Sequence, residues 1–363
     1  MEEIIRLTQD LIRFKTVPSQ PDEIQRCVSF IEDYLKKCGA DYRRLDHNHI
    51  PSIIVMPANN VAPVLLMSHI DVVDASDDLF EPRIKGDALY GRGSIDDKYA
   101  VALSLVLVKT YLQQLQAEGK NQSDLPFGVL ITADEEIGGL NGARKALQEI
   151  QADFCIALDG GRLKKIIVKE KGIIRLKLKA RGKTAHGARP WLGENAIENL
   201  IDDYRVLKKY FTLHAPDFWQ RTMNFSRIKG GKAINQVPDT AEALFDIRYT
   251  ENDDMDKIFQ EIQRQIKGKL IVERKEPLFE GGDSPYLDLL LEIAADTDVG
   301  FEHGASDARF LSAHGIKGIV WGADGEMSAH AEHEHVNIQS VGMLFDLLVT
   351  FIDRSAEIKA KNE

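Results

Sequence analysis

VAPVLLMSHID, residues 61–71, decides the fold. Val61 to Met67 is apolar throughout and runs straight into Ser68, His69, Ile70 and Asp71. A strand with one wet face alternates apolar and polar residues, whereas a short continuous run marks a strand buried on both faces of a parallel sheet. Phe127 to Thr132, Phe154 to Leu158 and Ile316 to Trp321 repeat the texture, and helix-like segments at Cys27–Lys37, Tyr99–Gln116 and Gly142–Ile150 lie between most of these runs. The expectation is an α/β domain whose mostly parallel sheet carries helices on both faces.

From about Lys171 to Gly281 the texture changes. IIRLKLKA (173–180) and TAEALFDIRY (240–249) alternate as one-sided strands do; NAIENLIDDYRVLKKYF (195–211) and MDKIFQEIQRQIKG (255–268) are amphipathic helices; KLIVERKEPLF (269–279) reads as strand. A strand-helix-strand-helix-strand module follows, with helices on one face of an open sheet and the other face free for a partner subunit. SPYLDLLLEIAADT (284–297) returns to helix, so the smaller domain is an insertion: residues 1–171 and 282–363 form the first domain and 172–281 the second. Length agrees, because single cores stop growing at roughly 250–300 residues and the chain has 363.

With 46 basic and 57 acidic side chains the net charge is −11, which argues against a nucleic-acid or anionic-membrane surface. At 44% hydrophobic and 28% charged the composition is that of an ordinary globular protein. The start, MEEIIRLTQDLIRF, has acids after Met1 and helical spacing of Ile4, Ile5, Leu11 and Ile12, unlike a signal peptide. Ala100–Val108, the longest apolar stretch, falls far short of the ~20 residues that a membrane-spanning helix needs. Cys27, Cys38 and Cys155 have no disulfide or zinc-site spacing, and a cytoplasmic location is expected.

Ligands of open α/β sheets bind beyond the carboxyl ends of the strands. Here three runs deliver metal-capable groups at that end: His69 and Asp71; Asp134, Glu135 and Glu136; Asp159 before Gly160-Gly161. Singly these are ordinary features: a histidine satisfied by a neighbouring carboxylate, a solvated acidic turn, a glycine turn. Together they would repel one another unless a cation offsets the charge. GRGSIDDK (91–98) lacks the spacing of a phosphate-cradling loop and reads as an entry to the helix at Tyr99, with Asp96 or Asp97 facing the strand tips. Imidazole plus carboxylates without thiolate suits Zn²⁺ or another first-row divalent ion, and several carboxylates suggest two ions sharing a bridge. A second imidazole can come from His330, His333 or His335, just after the fourth run.

In order, H-I-D (69–71), G-R-G-S-I-D-D-K (91–98), D-E-E (134–136), D-G-G (159–161) and H-A-E-H-E (330–334) make the chain resemble, over essentially its whole length, a zinc hydrolase family. That family contains acetylornithine deacetylase, succinyl-diaminopimelate desuccinylase, aminoacylase and glutamate carboxypeptidase. The resemblance implies that His69, Asp96, Glu136, Asp159 and His330 bind two divalent ions, zinc first with cobalt or manganese as alternatives, and that Asp96 bridges them. It also implies Glu135 as general base, Asp71 accepting the second imidazole N–H of His69, and His186 in T-A-H-G-A-R-P as an oxyanion donor from the partner subunit of a dimer. Asn235 and Arg248 match positions that bind a substrate carboxylate, and Gly304 and Ala305 a loop along the substrate; for Arg248 the plain alternative is a strand-surface charge.

The expectation is cleavage of an amide or peptide bond in a small carboxylate-bearing substrate, a dipeptide or an N-acyl amino acid; Asp159 stands where the family's deacylases usually carry Glu and its dipeptidases Asp, which tilts it towards a dipeptidase or exopeptidase. Lys171-Gly172 replaces the Arg-Gly of desuccinylases, Asp97 a common Met, and Tyr99 a usual Gly. A deacetylase or desuccinylase is the alternative within the chemistry, and a catalytically silent peptide- or metabolite-binding homologue, or a protein whose metals only pin strand tips, the alternatives outside it. His47 and His49 are expected at the surface, and Trp191, Trp219 and Trp321 in packing.

Overall fold

The computed structural model describes residues 1–212, 215 and 218–362. The chain divides into two compact units, one of Met1–Lys169, Phe279–Glu302 and Ser306–Glu363, the other of Glu170–Leu278 with His303–Ala305.

The first unit opens with two amphipathic helices. α1 (Glu2–Ile12) buries Ile4, Ile5, Leu7 and Leu11; α2 (Pro21–Lys37), with proline at its first position, buries Ile24, Cys27, Val28, Ile31 and Leu35. The hairpin of β1 (Arg43–His47) and β2 (Ile50–Val55) turns through Asn48 and His49, both at positive φ. β3 (Val61–His69), the short β4 (Arg83–Lys85) and β5 (Ala88–Tyr90), α3 (Lys98–Ala117), β6 (Phe127–Thr132), α4 (Ala143–Ala146), β7 (Gln151–Ala157) and β8 (Lys165–Glu170) follow. The second unit contains β9 (Gly172–Arg181), α5 (Ala196–Lys208), β10 (Thr222–Gly230), β11 (Thr240–Tyr249), α6 (Met255–Gln263) and β12 (Lys269–Glu276). The chain then returns through β13 (Phe279–Glu280), α7 (Pro285–Ile293), β14 (Asp298–Glu302), β15 (Lys317–Val320), β16 (His335–Asn337) and α8 (Ile338–Asn362).

The main sheet runs β1-β2-β6-β3-β7-β15-β8-β13, with β14 also on β8. Its centre, β6-β3-β7-β15, is parallel; β1, β2 and β8 pair antiparallel at the flanks. Both faces of the centre are covered, as the continuous apolar runs require. Val64, Leu66, Val129 and Ile156 face a layer that includes α1, α2, α3, α7 and α8; Leu65, Met67, Leu130 and Cys155 face α4 and the 3₁₀ segment Asp307–His314. Among the described residues no helix is long and apolar enough to cross a membrane.

In the second unit β9 buries Ile174, Leu176 and Leu178 while Arg175, Lys179 and Arg181 are exposed, and β11 alternates in step. α5 and α6 cover the apolar face. The sheet order, β10-β11-β9-β12, is antiparallel throughout and contains one strand more than the sequence pattern predicts. A bulge between Phe225 and Arg227 puts Met223, Phe225 and Ile228 opposite the inward residues of β11, a spacing of two and then three that hides β10 from an alternation search.

Other expectations are corrected as well. Gly142–Ile150 is helical only over Ala143–Ala146. His47 lies in β1 and is half-buried, whereas His49 is exposed. Trp321 is buried, but Trp191 is 75% exposed and packs no core. Leu66→Ala, deleting a side chain enclosed in the central strand, is expected to cost about 2–5 kcal/mol, read as a lower urea midpoint. Ile84→Ala, at an exposed position, should change stability by no more than about 0.5 kcal/mol.

Candidate metal centre

Register brings the strand tips level. His69, the last residue of β3, pairs across from Thr132 at the end of β6, and Met67 pairs with Ala157 at the end of β7. Glu135 and Glu136 therefore follow β6, and Asp159 follows β7, at the height of the His69 imidazole. Asp159 is carried by a turn that only glycine completes: Gly161 has φ +67°, and a Cβ there would lie 2.9 Å from the carbonyl oxygen of Lys165. Asp96 comes from the loop before α3, and His330 from the segment between β15 and β16.

The donor atoms form two groups. His69, Asp96 and Asp159 make one, Asp96, Glu136 and His330 the other, and within each the donor atoms lie within 4.8 Å of one another. Asp96 belongs to both and divides its oxygens between them. Oδ1 is 3.0 Å from His69 Nε2 and Oδ2 is 3.0 Å from His330 Nε2. Asp159 Oδ2 stands 3.8 Å from His69 Nε2, and Glu136 Oε1 3.1 Å from His330 Nε2. Donors sharing a tetrahedral zinc at 2.0–2.2 Å would be separated by roughly 3.4 Å, which these spacings bracket.

The His69 tautomer supports the fit. Its Nδ1 lies 2.9 Å from the carbonyl oxygen of Asp71, so the N–H is donated there, and the buried Nε2 faces Asp96 without a hydrogen bond. A lone pair aimed at carboxylates within 4 Å calls for a cation or a second proton. The Asp71 carboxylate is 3.5 Å from Nδ1 and accepts the backbone N–H groups of Glu135 at 3.2 Å and Glu136 at 3.0 Å. The backbone carbonyl of Asp71 thus takes the place expected for its side chain, and the carboxylate fixes the turn that aims both glutamates.

Electrostatics point the same way. Asp96 and Glu136 push the His330 imidazole up to about 10. Burial lowers His69, but Asp159, Asp71 and Asp96 together raise it well above its ordinary value. Burial raises Asp96, yet His330 and His69 outweigh it and hold the carboxyl below the usual range. The clustered carboxylates thus draw positive charge into the site, and a divalent ion can replace the protons. Glu135 lies outside both groups, and burial, with Asp159 and Asp307 nearby, raises its carboxyl well above the ordinary value.

Of the other predicted residues, Asp97 is buried and accepts the backbone N–H of His69 at 3.4 Å. His333 is exposed outside the groups, and His335 stacks near Tyr90. His186, Asn235 and Arg248 lie in the second unit, as do Gly304 and Ala305. His186 and Asn235 are exposed on adjoining segments, joined by a bridge of His186 with Gln236 and a 2.7 Å bond from Gly187 N–H to the Asn235 carbonyl. Arg248 is half-buried on the uncovered sheet face and ion-paired with Asp246, which also pairs with Arg175. Sequence reading missed Arg309, buried with Nη1 3.6 Å from Glu135 Oε1, and Asp307, which accepts a hydrogen bond from Thr132 at 3.3 Å. Both lie in S-D-A-R (306–309), directly after the pair singled out there.

The model of the peptidase family M20/M25/M40 matches residues 65–354, the span that holds every ligand candidate. The chain belongs to the M20/M25/M40 peptidase family. Among curated relatives of this M20 hydrolase, a probable succinyl-diaminopimelate desuccinylase of Staphylococcus aureus is 29% identical, over 96% of this chain and 98% of the relative. A probable carboxypeptidase of Aspergillus clavatus is 26% identical, over 92% and 84%. Of solved structures, a tripeptidase from Staphylococcus aureus superposes with a TM-score of 0.79 at 21% identity, covering 98% of each chain. A dinuclear metal-binding M20 peptidase of Bacillus subtilis reaches 0.64 at 14%, covering 97% of each.

Asp96→Ala should remove both metal equivalents from protein dialysed after zinc loading and assayed by elemental analysis. Asp159→Ala and Glu136→Ala should each remove one.

Proposed function

We propose that the protein is a di-zinc hydrolase that cleaves an amide or peptide bond in a small, carboxylate-bearing substrate, a dipeptide before an N-acyl amino acid. One observation carries the reading: Asp96 is shared by two ligand groups while Glu135, half-buried beside them, belongs to neither. A protein that used metals only to pin strand tips would have no use for a free carboxylate there. Two imidazoles and carboxylates without thiolate favour zinc, with cobalt or manganese as substitutes.

When bound, the two ions supply acidity to a water and polarise the scissile carbonyl. Glu135 accepts the proton of the attacking water at a carboxylate oxygen and returns it to the leaving amine nitrogen, and its raised affinity for protons suits both steps. Arg309, 3.6 Å from Oε1, keeps that carboxylate oriented. Asp71 orders the backbone under Glu135 and Glu136. Products are an amine and a carboxylic acid.

In this reading five further residues hold the substrate. Arg248 and Asn235 take its carboxylate; Arg175 and Arg248 share the single Asp246, which leaves one positive charge over. Gly304 and Ala305 lie along the substrate, and His186 donates to the developing oxyanion from the second copy of a homodimer formed through the uncovered sheet unit. The dipeptide preference rests on Asp159, and the relative named as a desuccinylase supports the N-acyl alternative.

On a panel of free dipeptides and N-acyl amino acids, Glu135→Gln should lower kcat by about 10²–10⁴-fold while both metal equivalents stay bound. Activity that survives in that variant contradicts the role given to Glu135. Sedimentation equilibrium should give a particle of twice the chain mass; a fully active monomer contradicts the contribution of His186 from a partner.

A further inference from the structure

The second ligand group is assembled by two loops, and one buried ion pair grips both. The side chains of Arg92 and Glu334 are 4% and 0% exposed, with their charged ends in contact. Glu334, from the His330 segment, reaches the loop before α3. Its Oε1 accepts the backbone N–H of Gly93 at 2.8 Å and of Ile95 at 3.4 Å, and its carbonyl accepts the N–H of Gly91 at 3.1 Å. Asp96 follows directly. Arg92, from that loop, reaches the opposite way: Nη2 donates to the carbonyl of His330 at 3.2 Å.

The His330 backbone needs holding. His330 has φ +65°, and Glu326 and Met327 in the same segment have φ +51° and +58°, a region that L side chains enter at a cost and keep only when their surroundings impose it. The imidazole itself is half exposed, so little packing fixes it. Burying an ion pair gives weak net stabilisation, because desolvation offsets the Coulomb gain. Among the described residues, the other side-chain hydrogen bonds of this pair run to the two ligand loops, while the Arg92 backbone N–H donates to the carbonyl of Leu79.

We propose that Arg92 and Glu334 are positioning residues, a clamp that sets His330 against Asp96 and thereby the affinity of the Asp96–Glu136–His330 group for its ion. Neither residue is a ligand. The clamp rests on the two-metal reading above, and the test separates the two.

Metal-stripped protein is titrated with Zn²⁺ against a chromophoric chelator, with unfolding of the stripped forms followed in parallel. Wild type binds two equivalents. Arg92→Lys keeps a charge for Glu334 but loses the planar fork that reaches the His330 carbonyl. It should weaken one equivalent about 10–100-fold and leave the other within about twofold. Glu334→Ala frees the loop of Asp96, which serves both groups, and should weaken both equivalents. If Glu334→Ala does not fold, the Arg92→Lys pattern decides alone. Two unchanged equivalents in Arg92→Lys, or two equally weakened, overturn the clamp. A wild type that binds fewer than two equivalents overturns the two-metal reading instead.

Discussion

One carboxylate organises this molecule. Asp96 turns an oxygen to each of two imidazoles, and behind each imidazole stands a further carboxylate, Asp159 on one side and Glu136 on the other. So many acceptors cannot share so small a space without positive charge between them. The same carboxylates push both imidazoles up, the mark of a site that draws positive charge. Everything nearby serves that arrangement: the His69 N–H is tied back to a carbonyl, Asp71 orders the glutamate turn, and Arg92 with Glu334 joins the two loops.

The fold makes the convergence inexpensive. A parallel sheet ends all its central strands at one edge, and the register of β3 with β6 and β7 levels three tips that carry candidate ligands there. The centre is covered on both faces, and the Asp71 carboxylate fixes the turn that holds Glu135 beside the candidate ligands without joining them. The second unit is built differently. Its one-sided antiparallel sheet leaves a charged face uncovered, and His186 and Asn235 project on exposed segments apart from that core.

How much of this was legible in the sequence depends on whether the signal was local. Continuous apolar runs locate the central strands because burial on both faces leaves no polar positions, and the candidate ligands His69, Glu136 and Asp159 are legible because they follow those runs, whereas Asp96 and His330 come from loops and are picked out by the family motifs. β10 escaped because its bulge breaks the period, and α4 was overextended because Leu147 and Ile150 bury their side chains without continuing the helix. The backbone role of the Asp71 carbonyl was invisible, since only the side chain is written in the sequence. Arg309 and Asp307 reach the glutamate turn from some 170 residues away, a contact that no local pattern encodes. Arg92 and Glu334 lie inside motifs that were quoted, but their union across the fold was likewise hidden.

The central claim is that Asp96 bridges two ions. Crystals of the zinc-loaded protein, measured at the zinc absorption edge, test it most directly through anomalous difference density. The account predicts two peaks, one beside His69 and Asp159 and one beside Glu136 and His330, with the Asp96 carboxylate between them. A single peak, or two peaks of which either lies out of reach of Asp96, would contradict it.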